Sequence, residues 1–320
     1  MDFPIQPGLV QASNKEEISS MKGHEKTSGL LRVLIVGANS YIGTSLATWL
    51  ARWPENYSME TLDVEDRSWR EKSFSSFNVV FHVAGIVHKR KASKSEYYAV
   101  NCDLAIEVAN RAKTDGVNQF IFMSSMAVYG VQDVMCKNNL ISSDTGLDPK
   151  TLYGKSKLQA EIGISALQDD TFSVAILRPP MVYGFGCRGN YVLLRRFTLR
   201  FGMIPTIENK RSAICISNLC ECVKQLMDRK ERGVFCPQDP EYFNTSLAMS
   251  MIGDVHKRKT KRSRLMTGFI IVCAVFLPSV RKAFGNLGYA RIGETWLNYH
   301  VKTFPAAVLE IENQWSKCDL

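Results

Sequence analysis

Leu31-Arg32-Val33-Leu34-Ile35-Val36 runs directly into Gly37-Ala38-Asn39-Ser40-Tyr41-Ile42-Gly43. The first segment is a short β-branched apolar run, the composition of a buried parallel strand. The second is a turn closed at each end by glycine, and the spacing predicts a helix over Thr44–Trp53, stopped at Pro54. Strand, glycine turn and helix in that order present backbone N–H groups and a helix N-terminus to an anion such as a pyrophosphate. Ser40 stands where a middle glycine is common, and its hydroxyl could bond a phosphate. Gly37, Asn39, Ser40, Tyr41, Ile42 and Gly43 are thus the candidate dinucleotide loop.

Downstream the same alternation continues. Further strands are expected at 57–64, 78–84, 119–124 and 173–177, and helices at 97–114 and 151–167. Strands alternating with helices imply an α/β fold, a Rossmann-type doubly wound parallel sheet. After Arg178 the rhythm loosens. This divides the chain into a flexible extension (1–29), a dinucleotide-binding domain (30–178) and a smaller, mainly substrate-binding C-terminal lobe (179–320). Asp63, twenty residues past Gly43, can accept the ribose hydroxyls of NAD. The segment Leu62–Asp66 is compressed, and Arg67 could compensate a 2′-phosphate, so NAD is favoured without excluding NADP.

Tyr153-Gly154-Lys155-Ser156-Lys157 places Tyr153 and Lys157 on one helix face. A nearby ammonium favours the phenolate, lowers the tyrosine pKa toward neutral pH and makes the phenol a usable acid/base for a sugar or alcohol hydroxyl. Ser124 and Ser125 end the preceding strand at the edge where open parallel sheets bind ligands.

With Val80-Phe81-His82-Val83-Ala84-Gly85, Phe120 to Gly130 and Leu177-Arg178-Pro179-Pro180-Met181-Val182-Tyr183-Gly184 added, the chain resembles the extended short-chain dehydrogenase/reductases. The likeness lies in their nucleotide-sugar epimerase/dehydratase branch and runs in order from about 30 to 230. It implies that Ser125 bonds the reacting hydroxyl, Tyr153 moves its proton and Lys157 binds the nicotinamide ribose. Ala84, Gly85 and Asn101 would line the cofactor, and Pro180 would lie in a segment passing the nicotinamide. Asn190 and Arg211 would hold the diphosphate of a nucleotide sugar. Similar dehydratases carry an acid just after the catalytic Ser/Thr. Met126 and Ala127 stand there instead and cannot transfer protons, which disfavours elimination. Ser217-Asn218-Leu219 departs from the family, which usually has an Asp before the Leu.

The expected function is an NAD(P)-dependent nucleotide-sugar epimerase acting at C4 of a UDP-hexose, in polysaccharide or cell-surface glycan synthesis. The alternatives are an NAD(P)H-dependent 4-keto-6-deoxy nucleotide-sugar reductase and a non-catalytic cofactor sensor on the same fold. The resemblance also implies a homodimer.

A 320-residue chain with 45% hydrophobic and 22% charged residues has the composition of a soluble globular protein, and its net charge is +9. Much of that charge sits in His256–Arg264, so it argues for a basic surface serving anionic ligands and not for nucleic acid. Nine scattered cysteines without a Cys-x-x-Cys pair suggest reduced thiols in the cytoplasm, and no metal site is expected. No basic segment followed by an apolar one opens the chain, so no signal peptide is expected. His82 and His88 lack metal spacing, and packing or backbone bonding is the expectation for them. The run 256–277, basic then apolar, is too short to span a bilayer. It reads as a core or dimer helix with a solvated lead-in, or as a segment with weak affinity for a membrane surface.

Overall fold

A computed structural model of the chain describes residues 29–87, 92–135, 137, 139–290 and 298–318. The expected extension, apart from Gly29, and His88 lie outside them. The chain forms two compact units. The first takes residues to Gly130, Ser143–Pro179 and Cys220–Pro237; the second takes Val131–Ser142, Pro180–Leu219 and the chain from Gln238. Two segments therefore cross the boundary expected near 179: 131–142 belongs with the later unit and 220–237 returns to the earlier one.

The first unit is a Rossmann-type α/β fold. Its six-stranded sheet runs Gly233–Phe235, Ser173–Leu177, Gln119–Met123, Val79–His82, Leu31–Val36, Tyr57–Leu62, parallel throughout. Its central strands are buried on both faces, which is why they read as unbroken apolar runs and not as alternating ones. One face packs on helix Leu104–Thr114 through Ala105, Val108, Ala109 and Ala112, in a core with Phe120, Phe122 and Val174. The chain leaves Leu31–Val36 toward one edge and resumes on its other side at Val79–His82. Strand order reverses there, and ligands of such sheets bind in the crevice beyond the strand ends at that point. Between Leu62 and Val79 the chain forms only the 3₁₀ turn Ser68–Glu71, and Tyr57–Leu62 is the sheet edge.

Ser40 moves the first helix start. Its hydroxyl accepts from Gly43 N (3.1 Å) and caps a helix spanning Tyr41–Leu50, three residues earlier than periodicity predicts. The expected helix at 97–114 is instead Lys94–Tyr98, a π-turn Ala99–Asp103 and Leu104–Thr114. The sixth strand, Gly233–Phe235, was not foreseen.

The second unit is built from three two-stranded parallel ladders and the helices Asn190–Phe201, Thr245–Val255, Arg264–Phe276, Pro278–Phe284 and Phe304–Cys318. Tyr183 and Tyr191 stack in its core, and half-buried Trp315 stacks on Tyr191. Asp239 is a buried hub that accepts from Tyr183 Oη (2.7 Å), Cys215 N (2.9 Å) and Asn218 Nδ2 (2.8 Å). This accounts for Asn218 in place of the Asp that the resemblance leads one to expect. Its amide also donates to Lys302 O (2.8 Å) and accepts from Lys302 N (2.9 Å), whereas a carboxylate would face that of Asp239.

Candidate active site

The glycine loop is shaped by close approach. Gly37 has φ +118°, and a Cβ on it would lie 2.9 Å from Ala84 N. The loop therefore abuts the end of strand Val79–His82 at the point where strand order reverses. A Cβ on Gly43 would lie 2.5 Å from Ser40 Oγ. Ser40 Oγ also donates to Gly37 O (2.7 Å), so its hydroxyl closes the turn on itself. Gly37 N and Ala38 N donate to Leu62 O (2.9 and 3.2 Å). Asn39 is exposed, with Tyr41 and Ile42 half-buried at the first helical positions. A bare turn leading into a helix N-terminus fits a dinucleotide diphosphate. Gly37→Ala is expected to weaken NAD binding roughly tenfold or more, the equivalent of the ~1–3 kcal/mol such backbone strain costs. Calorimetric titration checks this, and unchanged affinity would contradict the assignment of the loop.

Asp63 is exposed just past Leu62, and its carboxylate accepts from Glu65 N (2.9 Å). Ala84, Gly85, Asn101 and Lys157 come together. A Cβ on Gly85 would lie 2.9 Å from Asn101 Oδ1 and 3.4 Å from Lys157 Nζ. Asn101, fully buried in the π-turn, accepts from Ile86 N (2.8 Å) and donates to Ile86 O (2.9 Å) and Ser156 Oγ (3.2 Å). Its amide thus holds the Gly85–Ile86 backbone in place; π-turns of this kind recur at functional sites.

Ser125 and Tyr153 meet. Ser125 leaves strand Gln119–Met123 and caps the 3₁₀ turn Met126–Tyr129, accepting from Ala127 N (3.2 Å), with its hydroxyl close enough to Tyr153 to favour the phenolate. Gly154 makes the approach possible, since a Cβ there would lie 2.6 Å from Ala127 O. Met126 is buried and Ala127 half-buried, so the turn offers no acid. Lys157 is buried and donates from Nζ to Met123 O (2.8 Å) at the C-terminal edge of the sheet, 4.6 Å over the Phe122 ring. Burial lowers its pKa to about 8, with Glu161 opposing. The expectation for Tyr153 needs correcting. Burial raises its pKa, the Ser125 hydroxyl opposes this, and the ammonium of Lys157, drawn to a carbonyl, is not among the causes.

A buried ionic ring behind these residues was missed. Arg178 clasps Glu161 through Nε (3.1 and 3.2 Å) and Nη2 (2.6 Å) and donates from Nη1 to Tyr129 Oη (3.0 Å). Ser124 donates to Glu161, so the two adjacent serines serve different partners. Glu161 lies one turn beyond Lys157, which was the available signal.

His82 is fully buried between Phe120 and Phe122 (centroids 6.1 and 5.9 Å), and neither ring nitrogen has a hydrogen-bond partner among the described residues. Burial first, then the charge of Lys157, lowers its pKa from 6.5 to about 3. The unfolded chain therefore takes up this proton near pH 6.5, while the fold resists it down to about 3. The stability this contributes is present above pH 6.5 and is lost as pH falls through that window, at ~1.4 kcal/mol per unit of separation. His82→Phe should flatten the acid limb of a stability–pH curve from urea unfolding. An unchanged limb would show that His82 does not set it.

In the second unit, Asn190 is exposed at the first position of helix Asn190–Phe201, and Pro180 is half-buried. Arg211 is buried and paired with Asp133, and also donates to Gly285 O (3.2 Å). Among the described residues the cysteines are free thiols, no cluster of metal ligands occurs, and no helix is long and apolar enough to cross a membrane.

The family model described as NAD dependent epimerase/dehydratase matches residues 33–233. The chain belongs to that family. Among curated relatives, a UDP-glucose 4-epimerase of Vibrio cholerae is 28% identical over 222 residues, 61% of this chain and 66% of its own. The N-acetyl-α-D-glucosaminyl-diphospho-ditrans,octacis-undecaprenol 4-epimerase of Escherichia coli O157:H7 is 29% identical over 212 residues, 60% of this chain and 62% of its own. The chain thus spans under two thirds of the length of these relatives. Its fold is that of a UDP-glucuronic acid 4-epimerase from Bacillus cereus solved with NAD, at TM-score 0.68 and 17% identity, over 90% of this chain and 96% of that one. It is equally that of a dTDP-4-dehydrorhamnose reductase from Clostridium acetobutylicum, at TM-score 0.66 and 17% identity, over 89% of this chain and all of the other.

Proposed function

We propose that this family member is an NAD(P)-dependent nucleotide-sugar epimerase that inverts a sugar carbon, C4 of a UDP-hexose, for polysaccharide or cell-surface glycan synthesis. The pairing of Tyr153 with Ser125, behind a glycine loop and beside a buried Lys157, carries this reading. NAD, when bound, supplies the hydride acceptor and, on the return step, the donor. Tyr153 takes the sugar hydroxyl proton and gives it back, and Ser125 orients that hydroxyl. Burial holds Tyr153 protonated, so its phenolate needs the Ser125 hydroxyl and the charge of Lys157 at the moment of transfer. With a pKa of about 8, Lys157 still carries that charge at neutral pH. Met126 and Ala127 supply no second proton, which leaves elimination without an acid.

Asn190 and Arg211 are assigned to the substrate diphosphate. A guanidinium has five N–H donors, more than the contacts of Arg211 to Asp133 and Gly285 use. A cytoplasmic homodimer, with no metal and no nucleic acid, belongs to the same proposal. The short link between Leu62 and Val79 favours a second reading, a 4-keto-6-deoxy nucleotide-sugar reductase using NAD(P)H. Incubation with UDP-glucose, UDP-galactose and their N-acetylamino counterparts, followed by proton NMR, tests the choice. A C4 epimer formed without net use of cofactor supports the epimerase. Stoichiometric oxidation of NADPH on a 4-keto sugar supports the reductase instead.

A further inference from the structure

Helix Arg264–Phe276 is apolar on every side, a pattern that normally belongs to a fully buried helix. Only one side is docked. Ile270 clusters with Ile204, Met249 and Phe284, Ala274 is buried, and Thr267 Oγ1 accepts from Thr206 N (2.7 Å). The opposite side carries Leu265, Phe269, Val272 and Phe276 at spacings of four, three and four, which puts them on one stripe. They are 90%, 69%, 59% and 76% exposed. An exposed stripe of large apolar side chains marks an interaction surface.

The charge around it indicates the partner. From Val255 to Ala290 there is no Asp or Glu, but there are Lys257, Arg258, Lys259, Lys261, Arg262, Arg264, Arg281 and Lys282. The first six are exposed and lead into the helix; Arg281 and Lys282 follow it in Pro278–Phe284. Strand Lys261–Ser263 pairs with Met203–Pro205, so the basic edge is continuous with exposed Met203 and Phe201. Thirteen residues of helix reach roughly 20 Å, short of the ~30 Å hydrocarbon layer. The segment can lie on a bilayer and cannot cross one. Self-association through the same face would set two cationic rims against each other.

We propose that this face seats the protein on an anionic phospholipid surface. Leu265, Phe269, Val272 and Phe276 enter the headgroup–acyl boundary, and the flanking lysines and arginines meet lipid phosphates. The binding is peripheral, weakened by salt, and independent of catalysis.

Flotation of the full chain with vesicles tests this. One set is phosphatidylcholine alone, and the other is equal parts phosphatidylcholine and phosphatidylglycerol. We expect flotation with the anionic set at low salt, none with phosphatidylcholine, and release by salt. The double variant Phe269→Ser/Phe276→Ser changes exposed positions and should keep the wild-type unfolding midpoint, yet lose binding about tenfold or more. Failure of the wild type to float with anionic vesicles at low salt overturns the proposal, as does equal flotation of a folded double variant. A dimer in sedimentation that the double variant abolishes, without any flotation, assigns the face to a second copy instead.

Discussion

Tyr153→Phe is expected to lower turnover roughly 10²- to 10⁴-fold, the range for loss of a positioned proton-transfer group, while NAD affinity stays within a few fold. Phenylalanine keeps the ring and its packing and removes only the hydroxyl that meets Ser125. The cofactor loop and Lys157 are untouched, with Lys157 still held on Met123 O. Initial rates of sugar conversion by NMR, together with calorimetric NAD titration, separate the two effects. Turnover at the wild-type level would remove Tyr153 from the chemistry. A parallel collapse of NAD affinity would make it a binding residue.

Glu161→Ala is expected to cost about 3–5 kcal/mol of stability, because removing one partner of a buried pair strands the other. Arg178 would keep Tyr129 Oη and lose its carboxylate, and Ser124 would lose its acceptor. Even without Glu161 to stabilise it, a guanidinium keeps its proton in a protein, so Arg178 cannot escape by deprotonating. Replacing both partners, Glu161→Gln with Arg178→Met, should cost much less, since no uncompensated charge is left behind. Urea unfolding of the three proteins measures this. A single variant that loses under about 1 kcal/mol, the worth of an exposed pair, would show that solvent already screens the ion pair.

The fold was legible where local chemistry decides it. Leu31–Val36 followed by a turn with glycine at both ends can do little else, and the Tyr153–Lys157 spacing by itself fixes a shared helix face. What escaped depends on distant partners. Gly233–Phe235 has no pattern of its own and becomes a strand only because Ser173–Leu177 offers it an edge. Glu161 reads as a solvated helix carboxylate until Arg178 and Ser124, 17 and 37 residues away, are seen to surround it. From its place in the loop Ser40 reads as a phosphate ligand; that its hydroxyl also closes the turn through Gly37 O and Gly43 N depends on the fold. Tyr153 shows how far sequence spacing reaches in electrostatics. The spacing puts Tyr153 and Lys157 on one helix but does not give the balance, because desolvation outweighs the influence of Ser125 and Lys157 is turned to a carbonyl. The basic and apolar run 256–277 likewise divided into an ordered strand and a helix with one side docked, which sequence alone left between core, dimer and membrane.

A native mass spectrum of the purified chain bears most directly on NAD-dependent epimerisation. We expect one NAD per chain, retained through purification, because an epimerase regenerates its cofactor at every turnover and has no reason to release it. A chain that arrives bare and binds NADPH on addition points to the reductase. A chain that arrives bare and takes up neither NAD nor NADP in excess contradicts a dinucleotide site at Gly37–Gly43.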